Sequence, residues 1–392
     1  MEICRRNILW IANGFGLCGT GITGGPVRFH EISRRWAEKG WRQQLLTTLG
    51  GVKLLRSLGC KIPMKVVRAA FFLRHEPLRI FRFYSYCISA LFAPRRIEFD
   101  ADVIITVSDY FCDCIPAVRL KRKLGCKWIA WIHHRELNPS ERPGNRLVNT
   151  VTYYIQKWSF RLIARHADQV WVNGTAAGEL VKADLVRLGM DARKIHSMQN
   201  GVDCSLIGSI PDGEKQFDAI MVGVRPNKGM SDVVPIWSEV LKQRPGSRLL
   251  LAGGMSGEQP LVKEIEAKGL TEAIVMSPGF LPAAEHYAQM KRARVLFAPS
   301  HEEGWGIFIC EAMAAGLPVV AYDLPVFRLI YEGSYIAVPR FDAAKFADEI
   351  VRILTDSAAY GELRNRGSVC ASQYDWSKIA VQDADKVELS IA

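Results

Sequence analysis

The sequence predicts an α/β protein built as two domains with parallel sheets. Its 392 residues suit two units, each large enough to bury its own core. Short apolar runs of buried-strand type recur along the chain, separated by segments of helical periodicity. Charge divides the chain as well. Residues 1–200 hold 32 Lys+Arg and 15 Asp+Glu, net +17, whereas residues 201–392 hold 19 and 25, net −6. With 49% hydrophobic and 23% charged residues, the composition is that of an ordinary globular protein.

The first run, Ile8-Leu9-Trp10-Ile11-Ala12, follows Arg5-Arg6 and mimics a signal peptide, but its apolar core is too short for one. It reads as a buried strand. Gly14-Phe15-Gly16-Leu17-Cys18-Gly19 then matches G-x-G-x-x-G. A dinucleotide site also needs a helix opening at the last glycine and a carboxylate ending the next strand. Here Thr20 to Gly25 prolong the loop, and Gln44-Leu45-Leu46-Thr47-Thr48 ends without an acid, so that reading is rejected. Gly24-Gly25-Pro26 instead opens a helix with Phe29, Ile32 and Trp36 on one face, ending at Gly40.

Residues 62–97 interleave Lys65, Arg68, Arg74, Arg79, Arg82, Arg95 and Arg96 with Phe71, Phe72, Phe81, Phe83, Tyr84 and Phe92. Two readings stand: a membrane interface with aromatics immersed and cations over anionic headgroups, or a helix packing its aromatics inward. Asp100-Ala101-Asp102 precedes the strand Val103–Val107, whereas ligand groups belong after a strand. Asp383-Ala384-Asp385 reads as part of the last helix. No metal is expected. Lys127–Ile132 is a further strand with His133 and His134 at its carboxyl end, placed either to bond a substrate hydroxyl or to cap the strand. The strand Gln169–Val172 and the segment Gln199-Asn200-Gly201-Val202-Asp203 close the first half.

A second α/β run starts at Ala219-Ile220-Met221-Val222-Gly223, followed by Val224-Arg225-Pro226-Asn227-Lys228-Gly229. Leu249–Ala252 leads into Gly253-Gly254, and Val275-Met276-Ser277-Pro278-Gly279-Phe280 follows. The most informative stretch comes next. The strand Val295–Ala298 runs into Pro299-Ser300-His301-Glu302-Glu303-Gly304-Trp305-Gly306, helix formers begin at Ile307, and Gly316 and Pro318 stop them before the strand Pro318–Tyr322. The amides of Gly304, Trp305, Gly306 and Ile307 lie at a helix N-terminus, which favours an anion such as phosphate. Glu303 and Glu311 frame it as acceptors for hydroxyls. Phosphate flanked by two such carboxylates suits a sugar nucleotide; a buried helix with a solvated Glu at its start is the plainer alternative.

Glu303 and Glu311, with seven residues between them in EGWGIFICEAMAAGLPVV, resemble the E-x7-E signature of retaining glycosyltransferases of the GT-B fold, family 4. The resemblance extends more weakly over nearly the whole chain. It implies a fold of two Rossmann-like α/β/α domains facing a cleft, here residues 1–200 on the acceptor side and 201–375 on the nucleotide-sugar side. Residues 376–392 would form a helix crossing back to the first domain. It implies that Glu303 contacts the donor sugar and Glu311 the ribose, and that the Asn200-Gly201-Val202-Asp203 segment links the domains. Lys228-Gly229 matches the family's phosphate loop, in which an Arg and a Lys hold the diphosphate. Val224 stands where that Arg is expected and the loop is one residue short, leaving Arg225 in a shifted place. Gly25 would touch donor phosphate or acceptor, His133 the donor sugar or acceptor, and the backbone at Gly279 and Phe280 the base.

The expectation is therefore a retaining, metal-independent hexosyltransferase without a cofactor. It would act in the cytoplasm on a nucleotide sugar and a glycan or lipid-linked acceptor. The basic half suits an anionic partner, with peripheral docking on a membrane through residues 62–97 as one form of it. No helix-turn-helix, RNP-like or zinc-finger pattern accompanies the charge, so nucleic acid is not expected. A silent sugar-nucleotide-binding protein and a GT-B epimerase are the rival functions. The 10 Cys are scattered without a Cys-x-x-Cys pair and read as reduced and structural.

Overall fold

A computed structural model describes residues 5–15, 24–67, 97–136, 138–140, 146–255, 257–277, 279 and 281–391. Contacts divide the chain into one unit of residues 1–199 with 379–392 and another of residues 200–378. Most of residues 62–97, and Phe280, lie outside the described residues, so the calls made on them are untouched by the structure.

Among the described residues of the first unit seven strands form one parallel sheet: β1 (Asn7–Ala12), β2 (Arg42–Thr48), β3 (Met64–Val67), β4 (Val103–Thr106), β5 (Lys127–Ile132), β6 (Gln169–Asn173) and β7 (Ile195–Met198). Their order is β3-β2-β1-β4-β5-β6-β7. Between them run α1 (Gly24–Glu38), α2 (Leu49–Ser57), α3 (Phe111–Leu124), α4 (Arg146–His166) and α5 (Ala176–Arg187). The strands read as unbroken apolar runs because helices cover both faces; Ile8 to Ala12 and Trp128 to Ile132 are all buried. The order reverses between β1 and β4, which makes a switch point at their carboxyl ends.

The second unit repeats the plan. Helix α6 (Cys204–Ser209) precedes β8 (Phe217–Val224), α7 (Val233–Gln243), β9 (Leu249–Met255), α8 (Gln259–Ala267), β10 (Ile274–Met276), α9 (Ala283–Lys291) and β11 (Ala293–Ala298). Then come α10 (Ile307–Ala314), β12 (Val319–Tyr322), α11 (Pro325–Tyr331), β13 (Ile336–Val338), α12 (Ala343–Thr355) and α13 (Ser357–Gln373). The parallel order β10-β9-β8-β11-β12-β13 puts its switch point between β8 and β11.

The last helix, α14 (Trp376–Ile391), belongs from Ile379 onward to the first unit. There the Trp36 indole donates to the Ala380 carbonyl at 2.9 Å. Arg28, fully buried on α1, pairs with Asp383, donates to the Gln199 carbonyl at 3.1 Å and lies 4.3 Å from the Trp131 ring centroid. Asp383, which the sequence offered only as one acid in a helix, is thus the counter-charge of a buried cation. Among the described residues no helix is long and apolar enough to cross a membrane.

Candidate functional site

The two loops that leave the switch point of the second sheet carry most of the expected donor residues. β8 runs one residue past the position read as its end. Gly223, at φ +81°, and Gly253 on β9, at φ +83°, take left-handed backbone where the two strands slip register between Val222 and Val224. Val224 is therefore a fully buried strand residue, and the first side chain free to leave the sheet is Arg225. This accounts for the shifted arginine. A Cβ built on Gly254 would stand 3.0 Å from Arg225 Nη2, so the guanidinium lies along the glycine of β9. Among the described residues it pairs with no carboxylate.

Beyond Arg225 a single 3₁₀ turn, Pro226–Lys228, is closed by Gly229 at φ +79°. A Cβ on Gly229 would come 1.9 Å from the Pro299 carbonyl oxygen, so glycine is required where this turn meets the loop after β11. The same two loops are tied by the His301 amide donating to the Asn227 carbonyl at 2.9 Å. The His301 ring and the Tyr322 hydroxyl both reach Asp232, at 3.0 and 2.7 Å.

This docking brings Lys228 onto Glu303, and the two form an ion pair that the sequence did not foretell. The Ser300 hydroxyl donates to the same carboxylate at 3.2 Å, and the Lys228 ammonium lies 3.7 Å from the Phe308 ring centroid. Burial pulls the Lys228 ammonium below its ordinary value; Glu303 opposes that, Arg225 adds to it, and Glu311 opposes it in turn. Both glutamates and both cations therefore act on one locus.

α10 begins immediately after Gly306, whose φ is +83°. A Cβ there would meet Phe327 Cε1 at 2.7 Å, so the turn into the helix demands glycine. The Tyr331 hydroxyl donates to the Gly306 carbonyl at 3.1 Å. Trp305 is buried with its ring 5.5 Å from Tyr331 and 5.3 Å from Tyr374; only its backbone can face a ligand. Gly304 has open space around its Cβ position. Phe308, Ile309, Cys310, Ala312 and Met313 anchor α10 in the core, leaving Ile307, Glu311 and Ala314 as half-buried positions. The Tyr287 hydroxyl on α9 donates to Glu311 Oε1 at 2.9 Å, fixing a carboxylate that a ribose would need held still. Gly279 is exposed at φ +47°.

In the first unit the expected pair also meets. His133 follows β5, and a Cβ built on Gly25 would stand 3.4 Å from its Nε2. That nitrogen contacts the Val107 carbonyl at 3.0 Å. Desolvation, then the charges of Arg28 and His134, pull the ring down to about 4, so it is neutral at pH 7. Its Nε2 is occupied as a donor to Val107, which leaves Nδ1 as the acceptor. On α3, Asp113 accepts from the Asn13 amide at 2.6 Å and from the Ser108 hydroxyl. Its burial pushes the carboxyl up to about 7. Asp102 accepts the Asn7 amide at 2.8 Å, a structural use of the Asp-x-Asp. Among the described residues no three His, Cys, Asp or Glu side chains group as metal ligands.

Residues 22–206 match the family described as Glycosyltransferase Family 4, and residues 207–368 match Glycosyl transferases group 1. The chain is 32% identical over 220 residues to the phosphatidyl-myo-inositol mannosyltransferase of Mycobacterium leprae (strain TN), covering 52% of this chain and 57% of that protein. It is 31% identical over 166 residues to the GDP-mannose:cellobiosyl-diphosphopolyprenol alpha-mannosyltransferase of Xanthomonas oryzae pv. oryzae (strain PXO99A), covering 41% and 43%. The matches thus span about half the length of these curated relatives. In fold it is similar to the sucrose-phosphate synthase of Thermosynechococcus elongatus, with TM-score 0.73, 18% identity and coverage of 98% and 99% of the two chains. Two parallel-sheet α/β units with these matches over nearly the whole sequence place the chain in a known family: it belongs to the GT-B glycosyltransferases of family 4, group 1.

Proposed function

We propose that the protein transfers a sugar from a nucleotide-sugar donor to a glycan or lipid-linked acceptor, with retention of anomeric configuration and without a metal. The observation that carries this reading is the Lys228–Glu303 pair set before the N-terminus of α10 at a sheet switch point. In the proposed complex Lys228, Arg225 and the amides of residues 304–307 neutralise the diphosphate, and Glu311 takes the ribose hydroxyls. Glu303 leaves Lys228 to take hydroxyls of the sugar. The departing phosphate accepts the acceptor proton on the same face, so Glu303 polarises and positions the sugar and forms no covalent bond to it. His133, neutral, offers one acceptor nitrogen to a hydroxyl of donor sugar or acceptor.

The relatives named as mannosyltransferases make GDP-mannose the first donor to test, and their lipid-bearing acceptors support a lipid-linked acceptor. The net +17 of residues 1–200 supports work at the cytoplasmic face of an anionic membrane. The test is nucleotide release from a panel of GDP-, UDP- and ADP-sugars with lipid-linked acceptors, followed by proton NMR of the new linkage. One donor should be consumed only with acceptor present, giving the anomer of the donor. Glu303→Ala should slow it about ten- to a hundredfold, the loss of one charged hydrogen bond. An inverted linkage would exclude retention, and acceptor-independent hydrolysis with epimerised sugar would favour the epimerase.

A further inference from the structure

Helix α4 is charged unlike its neighbours. Over Arg146–His166 it carries Arg146, Lys157, Arg161 and Arg165 and no Asp or Glu. Among the described residues none of these four cations pairs with a carboxylate, whereas on α1 Arg34 and Arg35 are both neutralised by Glu31. The outward face is also apolar at the wrong places for water. Leu147, Tyr154 and Trp158 are 71%, 56% and 57% exposed, and their spacing puts them on one side of the helix with Arg161 and Arg165. The cations sit against the rings: Lys157 Nζ is 4.5 Å from the Tyr153 centroid and Arg161 Cζ is 5.4 Å from that of Trp158.

Alongside the first half of α4 runs a groove of about 400 Å³, lined among others by Asn138, Ser140, Arg146, Tyr153, Tyr154 and Lys157, with no acid among the described residues of its lining. Because α4 follows β5, this half lies toward the carboxyl edge of the sheet, the edge at which His133 stands.

We propose that α4 docks the first unit on an anionic phospholipid bilayer, with Tyr154 and Trp158 entering the headgroup layer and the groove between Arg146 and Lys157 receiving a lipid phosphate. Exposed aromatic rings beside uncompensated cations match that layer chemically. An exposed leucine on the same face has no use against a nucleic-acid backbone. The docking rests on the lipid-linked acceptor proposed above, and it moves the contact from residues 62–97 to a helix whose exposed face is in view.

The experiment is sedimentation of the full chain with phosphatidylcholine vesicles, with and without phosphatidylglycerol, at low and high salt. Nucleoside diphosphate binding is measured by calorimetry on the same preparations. The wild type should pellet with anionic vesicles at low salt only. Tyr154→Ser/Trp158→Ser and Lys157→Glu/Arg161→Glu should each weaken that binding about tenfold or more, with nucleotide affinity unchanged because the residues are exposed and belong to the first unit, whereas the donor site is built on the second. Wild-type protein that stays in the supernatant, or variants that pellet as it does, would overturn the proposal. Intact nucleotide binding in either case would leave the donor site standing; lost nucleotide binding with vesicle binding retained would sink the donor site instead.

Discussion

Lys228, expected to hold the diphosphate, is paired with Glu303, expected to hold the sugar. Lys228 and Glu303 are paired, with side chains only 16% and 10% exposed, so a donor must separate them. Glu303→Gln keeps the shape and the Ser300 contact but removes the counter-charge. A part-buried charged hydrogen bond is worth about 1.5–3 kcal/mol. Glutamine retains part of it, so we expect roughly 1.5 kcal/mol to return when diphosphate replaces the lost charge, about tenfold tighter binding. The assay is calorimetry with a nucleoside diphosphate lacking sugar, on wild type, Glu303→Gln, Lys228→Ala and the double variant. Glu303→Gln should bind more tightly while transferring sugar more slowly, and its gain should vanish when Lys228 is absent, a coupling that the double-mutant cycle isolates. A gain that survives Lys228→Ala, or no gain at all, would refute the competition.

Arg225→Ala should weaken diphosphate binding as strongly as Lys228→Ala, since the guanidinium at Gly254 has no carboxylate partner among the described residues to lose; calorimetry showing an unchanged affinity would exclude it from the diphosphate. Asp383→Ala should leave Arg28 buried and unpaired and destabilise the fold by about 3–5 kcal/mol, read by urea unfolding, and a loss below about 1 kcal/mol would show that water or another group satisfies Arg28. His133 has a folded value of about 4 against an unfolded value near 6.5. The unfolded chain therefore binds more protons between these values, and the stability His133 contributes above pH 6.5 is lost as pH falls toward 4. His133→Gln should flatten that part of the Tm-against-pH curve; an unchanged slope would mean the ring is not held neutral.

The strands and the loop-to-helix turn of the candidate site were legible because they are local. Apolar runs, Gly306 with Gly316 and Pro318, and the Glu303–Glu311 spacing each declare themselves within a few residues. What escaped was set by residues distant in sequence. Val224 looked like a loop position because nothing local shows that Gly223 and Gly253 bulge together and carry β8 one residue further. Asp383 looked like one of two acids in a helix because its partner Arg28 lies on α1. Trp305 was read for its backbone amide alone, and nothing local shows that Tyr331 and Tyr374 take its ring into the core. Ser300, Tyr287 and Asp232 were missed, although Ser300 stood in the quoted run beside Glu303.

Saturation-transfer NMR with a panel of GDP-, UDP- and ADP-sugars tests the donor site most directly. Wild-type protein should saturate both the ribose and the sugar protons of at least one donor. Glu311→Ala should lose the ribose and sugar signals together, and Glu303→Ala chiefly those of the sugar. A wild-type protein that saturates no nucleotide sugar, or a Glu311→Ala variant that binds the donor as the wild type does, would contradict the assignment of this site.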